Sequence, residues 1–343
     1  IPSPISVRLR NASMATLNNH RCAAAWEPKA GSTQVVYRCF QGSKIAKVVK
    51  VGDDMASKAL LRDARVSSGL LSQVQFEVVP AKGVLRKVLR NLSPDSRISI
   101  SCSPTNGIVP TLRLHKRLTG KGYRPIPHVT ARTIKSREHL REVMDALADT
   151  DTRGIMALGG DPDPPWGPYD SSFALLREIA DMGRRFEFVG IAGYPQTHPV
   201  VPDDSLMQAL TDKQPHATHV VTQMCFDASA TLEWAARIRD KGVSLPIFIG
   251  VPSPMNALRL LELARTCGVS DARRFLKSKL GMVGQFLRPS YTPDKLLSKL
   301  SSPRNGRDLG FAGVHVFTFN QVEQARLWAD PLLEQMARPA RAR

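Results

Sequence analysis

The sequence predicts an α/β chain folded as a closed (β/α)8 TIM barrel behind a basic N-terminal extension, and three observations carry that prediction. Eight short apolar runs of strand length recur from Val74 onward. Amphipathic stretches separate most of them, which is the pattern of repeated strand-crossover-strand units and a parallel sheet. Most of the runs give way to short polar motifs, and in a barrel the carboxyl ends of the strands converge on one face.

The strands are expected at 74–79, 98–101, 125–129, 154–158, 187–192, 219–222, 246–250 and 313–319. Pro125, Pro246 and Gly313 stand at strand starts, where an absent donor or absent side chain costs little. Helices are expected at 111–118, 136–148, 171–182, 203–210, 228–241, 256–267 and 320–336. Ser136, followed by Glu138 and His139, opens the second, and Ser172 is expected to cap the third, because a short side-chain oxygen satisfies free amide donors at a helix start. Residues 271–303, rich in Lys and Ser, read as an extra helical pair before the last strand. An open doubly wound sheet would want a glycine-rich phosphate turn after its first strand. Here Pro80-Ala81-Lys82-Gly83 follows, and no Gly-x-Gly-x-x-Gly occurs in the chain.

With 343 residues, 42% of them hydrophobic, the chain can bury one large core. The expected division is a barrel over 71–338, a basic extension over 1–70 and a basic tail over 339–343. The longest apolar runs, such as 245–251, have strand length, well short of the roughly 18 to 20 residues of a membrane helix, so no transmembrane segment is predicted. Cys22, Cys39, Cys102, Cys225 and Cys267 are odd in number and form no Cys-x-x-Cys, which argues against a disulfide framework or a zinc knuckle and for a reducing compartment. His216 and His219 lack a carboxylate or thiol at ligand spacing, so no metal is expected.

The formal charge of +18 favours an acidic partner. Aromatics at 6% and the absence of a zinc finger, a helix-turn-helix signal or an RNA-recognition motif argue against nucleic acid. Up to Lys50 the basic residues are Arg8, Arg10, Arg21, Lys29, Arg38, Lys44, Lys47 and Lys50, against the single acid Glu27. That composition resembles a mitochondrial or plastid transit peptide, and a mitochondrial, matrix-side location is expected from it; a chain opening on Ile1 reads as processed or incomplete. Two readings stay open for this segment. One is a disordered basic tail; the other is a retained extension, carrying Gln34-Val35-Val36-Tyr37 and Ile45-Ala46-Lys47-Val48-Val49, that lies against the barrel or a protein partner.

Five strand-end motifs carry the chemistry: Phe76-Glu77-Val78-Val79-Pro80, Pro127-His128-Val129-Thr130, Leu158-Gly159-Gly160-Asp161-Pro162, Ala192-Gly193-Tyr194-Pro195-Gln196-Thr197-His198-Pro199 and Thr222-Gln223-Met224-Cys225-Phe226-Asp227. In this order and spacing, from residue 75 to about 327, the chain resembles methylenetetrahydrofolate reductase, a barrel enzyme that reduces a methylene group on tetrahydrofolate to methyl. The resemblance implies that Glu77 is the general acid that helps open the folate's five-membered ring to an iminium, since the leaving amine must be protonated before the carbon accepts hydride. Burial is expected to raise its pKa toward neutrality. It further implies that Asp161 sits beside flavin and pterin, that Gln223, with Phe226 behind it, meets the pterin edge with donor and acceptor, and that His128, Thr130, Gly160, Tyr194 and His198 surround a flavin. Folate as substrate, NAD(P)H as hydride source and FAD follow from the same resemblance. The bland counterparts are a salt-bridged rim carboxylate, satisfied rim residues and an ordinary strand threonine.

The pattern breaks at the flavin phosphates. Members that bind flavin carry Lys or Arg in the helix before the sixth strand, where this chain has Asp204-Ser205-Leu206-Met207-Gln208-Ala209-Leu210-Thr211-Asp212-Lys213, with Lys213 off the expected face. The loop after the second strand is Ser101-Cys102-Ser103-Pro104-Thr105-Asn106-Gly107, Gln196 replaces a glutamate, and 250–258 lacks an aromatic residue. These departures, with Arg273-Arg274-Phe275-Leu276 after the 256–267 helix, resemble a divergent branch of the family that includes flavin-independent members. Two functions are therefore expected in competition. One is a folate reductase; the other is a catalytically degenerate barrel serving as an accessory subunit of a mitochondrial assembly such as respiratory complex I, held through 1–70 in peripheral association with a membrane complex.

Overall fold

The computed structural model describes residues 15–17, 20–29, 32–41, 44–50, 73–196, 198, 200–266, 290–302 and 308–336. The chain divides into two compact units, 1–63 and 64–343. In the first, strands β1 (Ala15–Leu17), β2 (His20–Lys29), β3 (Ser32–Gln41) and β4 (Lys44–Lys50) form an antiparallel sheet in that order. The expected basic extension thus contains regular structure. The expected tail at 339–343 lies outside the described residues.

The second unit is a closed barrel of eight parallel strands, β5 (Val74–Val78), β6 (Arg97–Ile100), β7 (Ile126–Thr130), β8 (Gly154–Leu158), β9 (Phe188–Gly193), β10 (His219–Met224), β11 (Ile247–Pro252) and β14 (Phe311–Phe317). All eight expected strands are present. β14 pairs with both β11 and β5, and this closes the ring. The Met255–Asn256 pair (β12) and Ser290–Tyr291 (β13) form a short antiparallel ladder between β11 and β14. Of the extra helical pair expected there, the Asp294–Leu300 helix is present, whereas 267–289 lie outside the described residues.

The helices follow their caps. Ser136 Oγ accepts from His139 N at 3.1 Å and opens the Arg137–Ala148 helix as expected. In the next helix, Ser172–Asp181, the cap is Ser171 and not Ser172: Ser171 is extended and its Oγ accepts from Ala174 N at 3.3 Å, while Ser172 is already helical and buried. Asp227 caps the Ala228–Asp240 helix by accepting from Ser229 N and Ala230 N. Sequence reading missed the Val84–Asn91 helix after β5, which buries only Val84 and Val88 among Arg and Lys and so presents too short an apolar stripe to stand out.

The main core lies between the strands and the outer helices. Ile98, Ile100, Ile155 and Ile191 on the strands and Leu140, Leu147 and Leu175 on the helices contribute to it, all with no exposure. Burial of each such side chain contributes about 1.5–3 kcal/mol. Inside the barrel, Ile126, Met156, Val221 and Phe248 form a second apolar cluster. Gly190 is required beside it, because a Cβ there would stand 2.1 Å from Met156 Sδ and 2.8 Å from His219 Nε2. Among the described residues no helix is long and apolar enough to cross a membrane.

Candidate functional site

Strand alternation sets the site. On β5, Phe76 and Val78 face the outer helices while Gln75 and Glu77 point into the barrel. On β14 the same alternation turns His315 and Phe317 inward, and the register sets His315 beside Gln75 and Phe317 beside Glu77. As a result His315 Nε2 stands 3.0 Å from Glu77 Oε2, and His128 Nε2, from β7, stands 3.7 Å from the same oxygen. The Glu77 side chain is 14% exposed and that of His315 1%.

The backbone around Glu77 is clamped from the far end of the chain. Thr318 Oγ1 donates to Glu77 O at 2.5 Å. Asn320 accepts from Val79 N at 2.9 Å and donates to Val79 O at 3.0 Å, holding the strand end with one carboxamide.

Burial would raise the pKa of Glu77, but the hydrogen bond to His315 and the nearby imidazoles of His128 and His315 outweigh it and leave the carboxyl below its ordinary value. This reverses the expected direction. The expectation weighed burial alone, and the partner that overrules it stands on the last strand of the barrel. Burial also drives His128 down to about 4, with Glu77 opposing, so its ring is neutral near pH 7.

A second group stands over β6, β7 and β8. Thr130 Oγ1 lies 2.7 Å from Thr133 Oγ1 and 3.2 Å from Cys102 Sγ. Gly160, at φ 90°, passes so close that a Cβ would lie 3.0 Å from Thr130 Cβ. The turn it permits brings Asp161 to the surface, within electrostatic reach of Cys102, Tyr194 and His198. Tyr194 and His198 meet edge-on at 5.0 Å. His198 Nδ1 accepts from Val200 N and Val201 N, which leaves Nε2 as the protonated nitrogen of the neutral ring. Arg132 pins the loop beyond Asp161 by donating to Pro162 O and to Asp163 Oδ1. An open cleft of about 530 Å³ runs between Thr105, Asp161 and Trp166.

Gln223 Oε1 accepts from Met224 N at 2.8 Å, which occupies one of its two acceptor sites and leaves the amide nitrogen to donate. Phe226 is buried in a cluster with Met224, Met255, Leu260 and Tyr291, its ring 5.7 Å from that of Tyr291.

The helix Asp203–Lys213 does not fit a flavin diphosphate. Its first turn carries Asp203 and Asp204, Leu210 is buried, and Asp212 accepts from Gln208 Nε2. Lys213 is buried, its pKa pushed down to about 8 by desolvation, in a separate cavity of about 320 Å³ shared with Leu210 and Trp234. His216 and His219 part company: His216 packs on Phe173, and His219 turns into the barrel against Phe248.

Glu77 and His128 are therefore brought together directly, and Asp161, Thr130, Gly160, Tyr194 and His198 form the neighbouring group. His315, Thr318 and Asn320 were missed. The available signal was His315-Val316-Phe317-Thr318-Phe319-Asn320 at the end of the last apolar run, where alternation puts His315 on the interior face.

Comparison with known proteins bears on the family and the fold. A sequence profile of methylenetetrahydrofolate reductase matches residues 109–281, just over half of the 343 residues. Methylenetetrahydrofolate reductase 1 of Schizosaccharomyces pombe is 29% identical over 160 residues, 43% of this chain and 26% of that protein. Methylenetetrahydrofolate reductase 2 of Saccharomyces cerevisiae is 28% identical over 135 residues, covering 36% and 22%. The 5,10-methylenetetrahydrofolate reductase of Pectobacterium carotovorum is 28% identical over 154 residues, covering 43% and 50%. The match thus spans between about a quarter and a half of the length of these relatives. Among solved structures, an uncharacterized protein from Clostridium thermocellum that binds two copies of 5-methyl-5,6,7,8-tetrahydrofolic acid shares the fold at a TM-score of 0.54 and 13% identity, over 82% of this chain and 99% of that one. Asp161 and Gln223 lie inside the profile match, whereas Glu77 and His315 lie outside it.

Proposed function

The chain belongs to the methylenetetrahydrofolate reductase family, and from that premise we propose that it reduces 5,10-methylenetetrahydrofolate to 5-methyltetrahydrofolate, with Glu77 as general acid. The observation that carries the reading is Glu77 itself, an interior carboxyl at the end of the first barrel strand that shares a hydrogen bond with His315. Protonation of the folate's leaving amine opens the five-membered ring to an iminium, and the carbon then accepts hydride. Asp161, exposed above Gly160, is suited to hold the developing cation by charge. The free amide nitrogen of Gln223 suits an acceptor on the pterin edge.

The acidic helix Asp203–Lys213 argues against a flavin. The hydride is accordingly assigned to a reduced nicotinamide nucleotide acting directly on the iminium. The test is turnover: purified protein with methylenetetrahydrofolate is expected to oxidise NADH or NADPH without added flavin, and to show no flavin absorbance. Turnover that appears only when FAD is added overturns the direct transfer, and none under either condition overturns the reductase reading.

The same helix, together with the basic composition of residues 1–50, favours the second reading, an accessory subunit of a mitochondrial assembly. An inactive protein that co-purifies from the mitochondrial matrix face with a respiratory complex is the result that reading requires.

A further inference from the structure

Beside its apolar cluster, the interior of this barrel carries polar side chains where the fold usually stacks apolar ones. Gln75, Ser99, His219 and His315 all point inward and are at most 4% exposed. Both carboxamide atoms of Gln75, Ser99 Oγ, His219 Nε2 and His315 Nδ1 are buried without a protein partner. Buried polar atoms in a folded protein are satisfied almost without exception, by protein or by ordered water.

These atoms form a column. Arg97 and His219 are the first residues of β6 and β10, so they stand at the amino-terminal rim. The guanidinium of Arg97 lies 5.0 Å over Phe188 and 5.6 Å over Phe248, and the His219 ring lies tilted against the same Phe248 at 5.2 Å. Arg97 and His315 both lie within electrostatic reach of His219. The register then sets Arg97 beside Gln75, Gln75 beside His315, and Ser99 beside Glu77. At the upper end His315 Nε2 meets Glu77.

We propose that this column is a hydrated proton path through the barrel, which delivers protons from the amino-terminal rim to Glu77 by way of His315. Its direction of flow rests on the reductase reading. Reduction of the methylene group consumes one hydride from the nicotinamide nucleotide and one proton, which goes to the amine released when its bond to the methylene carbon breaks. Glu77 gives that proton. His315 replaces it from Nε2 and takes one at Nδ1 from water, so the imidazole ends neutral as the Nδ1–H tautomer, and its proton must return to Nε2 before the next turnover. Water held by the Gln75 carboxamide, Ser99 Oγ and His219 Nε2 carries the next proton inward. The titratable groups facing Glu77 are His128 from β7 and His315 from β14; those facing His219 are Arg97 and His315, with Glu187 beyond Arg97. His315 and Gln75 are positioning residues, since neither is placed against the reacting atoms.

Two measurements decide it. A crystal structure of the full chain fine enough to show waters is expected to place them on His315 Nδ1, His219 Nε2 and the Gln75 carboxamide. An interior in which those atoms bond one another with no water between them overturns the path, whatever the protein catalyses. The second measurement is methylenetetrahydrofolate reduction by Gln75→Met, which exchanges the carboxamide for an apolar chain of similar length. Its kcat is expected to fall about tenfold at about pH 8 and to recover toward wild type near pH 6, with KM within about twofold. A folded Gln75→Met with the wild-type kcat and pH profile overturns the path. Should that variant not fold, Ser99→Ala is read the same way. Wild-type protein with no turnover overturns the reductase reading alone, and the crystal structure then decides the path.

Discussion

Glu77 Oε2 accepts from His315 Nε2 at 3.0 Å across 238 residues of sequence, joining the first barrel strand to the last. The closed barrel makes this contact possible, because β14 pairs with β5 and both side chains face inward. An interior carboxyl without such a partner would rise in pKa and hold its own proton; with His315 it lies low. In the proposed reduction the acid role would belong to a pair of residues, and it would depend on how that pair is held.

Glu77→Gln keeps the shape and an oxygen that can accept from His315, but removes the transferable proton. Reduction of methylenetetrahydrofolate is expected to fall by about 10²–10⁴, with the circular-dichroism spectrum unchanged. A Gln variant with the wild-type rate excludes Glu77 as the acid.

Asn320 holds the strand end that carries Glu77. Its carboxamide both donates to and accepts from Val79 in a backbone conformation at φ 62°. Asn320→Ala is expected to cost about 1–3 kcal/mol in urea unfolding, since two bonds go and alanine is disfavoured at that φ. Asn320→Gly, which tolerates the conformation, is expected to lose less. If the two variants unfold at the wild-type midpoint, the clamp contributes nothing to stability.

The barrel was legible because each strand carries its own signal: a short apolar run bounded by turn residues, with Gly154–Leu158 read to the residue. The strand-end positions of Asp161 and Gln223 were legible for the same local reason. The Val84–Asn91 helix was not, as its buried stripe is two valines. Nor was the low pKa of Glu77, because it depends on which residue closure of the ring brings against β5. Ser171 and Ser172 offer the same oxygen at the helix start, and only backbone conformation separates the cap from its neighbour.

Gly160 is required where the Asp161 loop crosses β7. At φ 90°, with a Cβ 3.0 Å from that of Thr130, alanine meets both an unfavourable backbone and a close contact. Gly160→Ala is expected to lose about 1–3 kcal/mol and to weaken folate binding by moving Asp161. Unchanged unfolding midpoint and unchanged binding would show that the loop yields freely.

Acid is expected to unfold this barrel earlier than carboxylate protonation alone would. His115, His128 and His219 are buried, and desolvation drives each down to about 4 from an ordinary 6.5. Between those values the unfolded chain binds the protons and the folded chain does not, so stability rises with pH across the window and is lost as pH falls through it. Glu77 acts in the same direction further down: its folded pKa lies below the ordinary 4.5, so its share is present above that value and lost as pH falls through the folded one. His115 is the cleanest test, since it lies outside the Glu77 cluster, with Thr152 Oγ1 3.0 Å from its Nε2. Its share is on the order of 3 kcal/mol between neutral pH and about pH 4. The melting temperature is expected to drop steeply from pH 7 to 5, and His115→Gln is expected to flatten that slope by about one proton. A melting temperature constant across the window would mean that these rings take up protons in the folded barrel over the same pH range as in the unfolded chain.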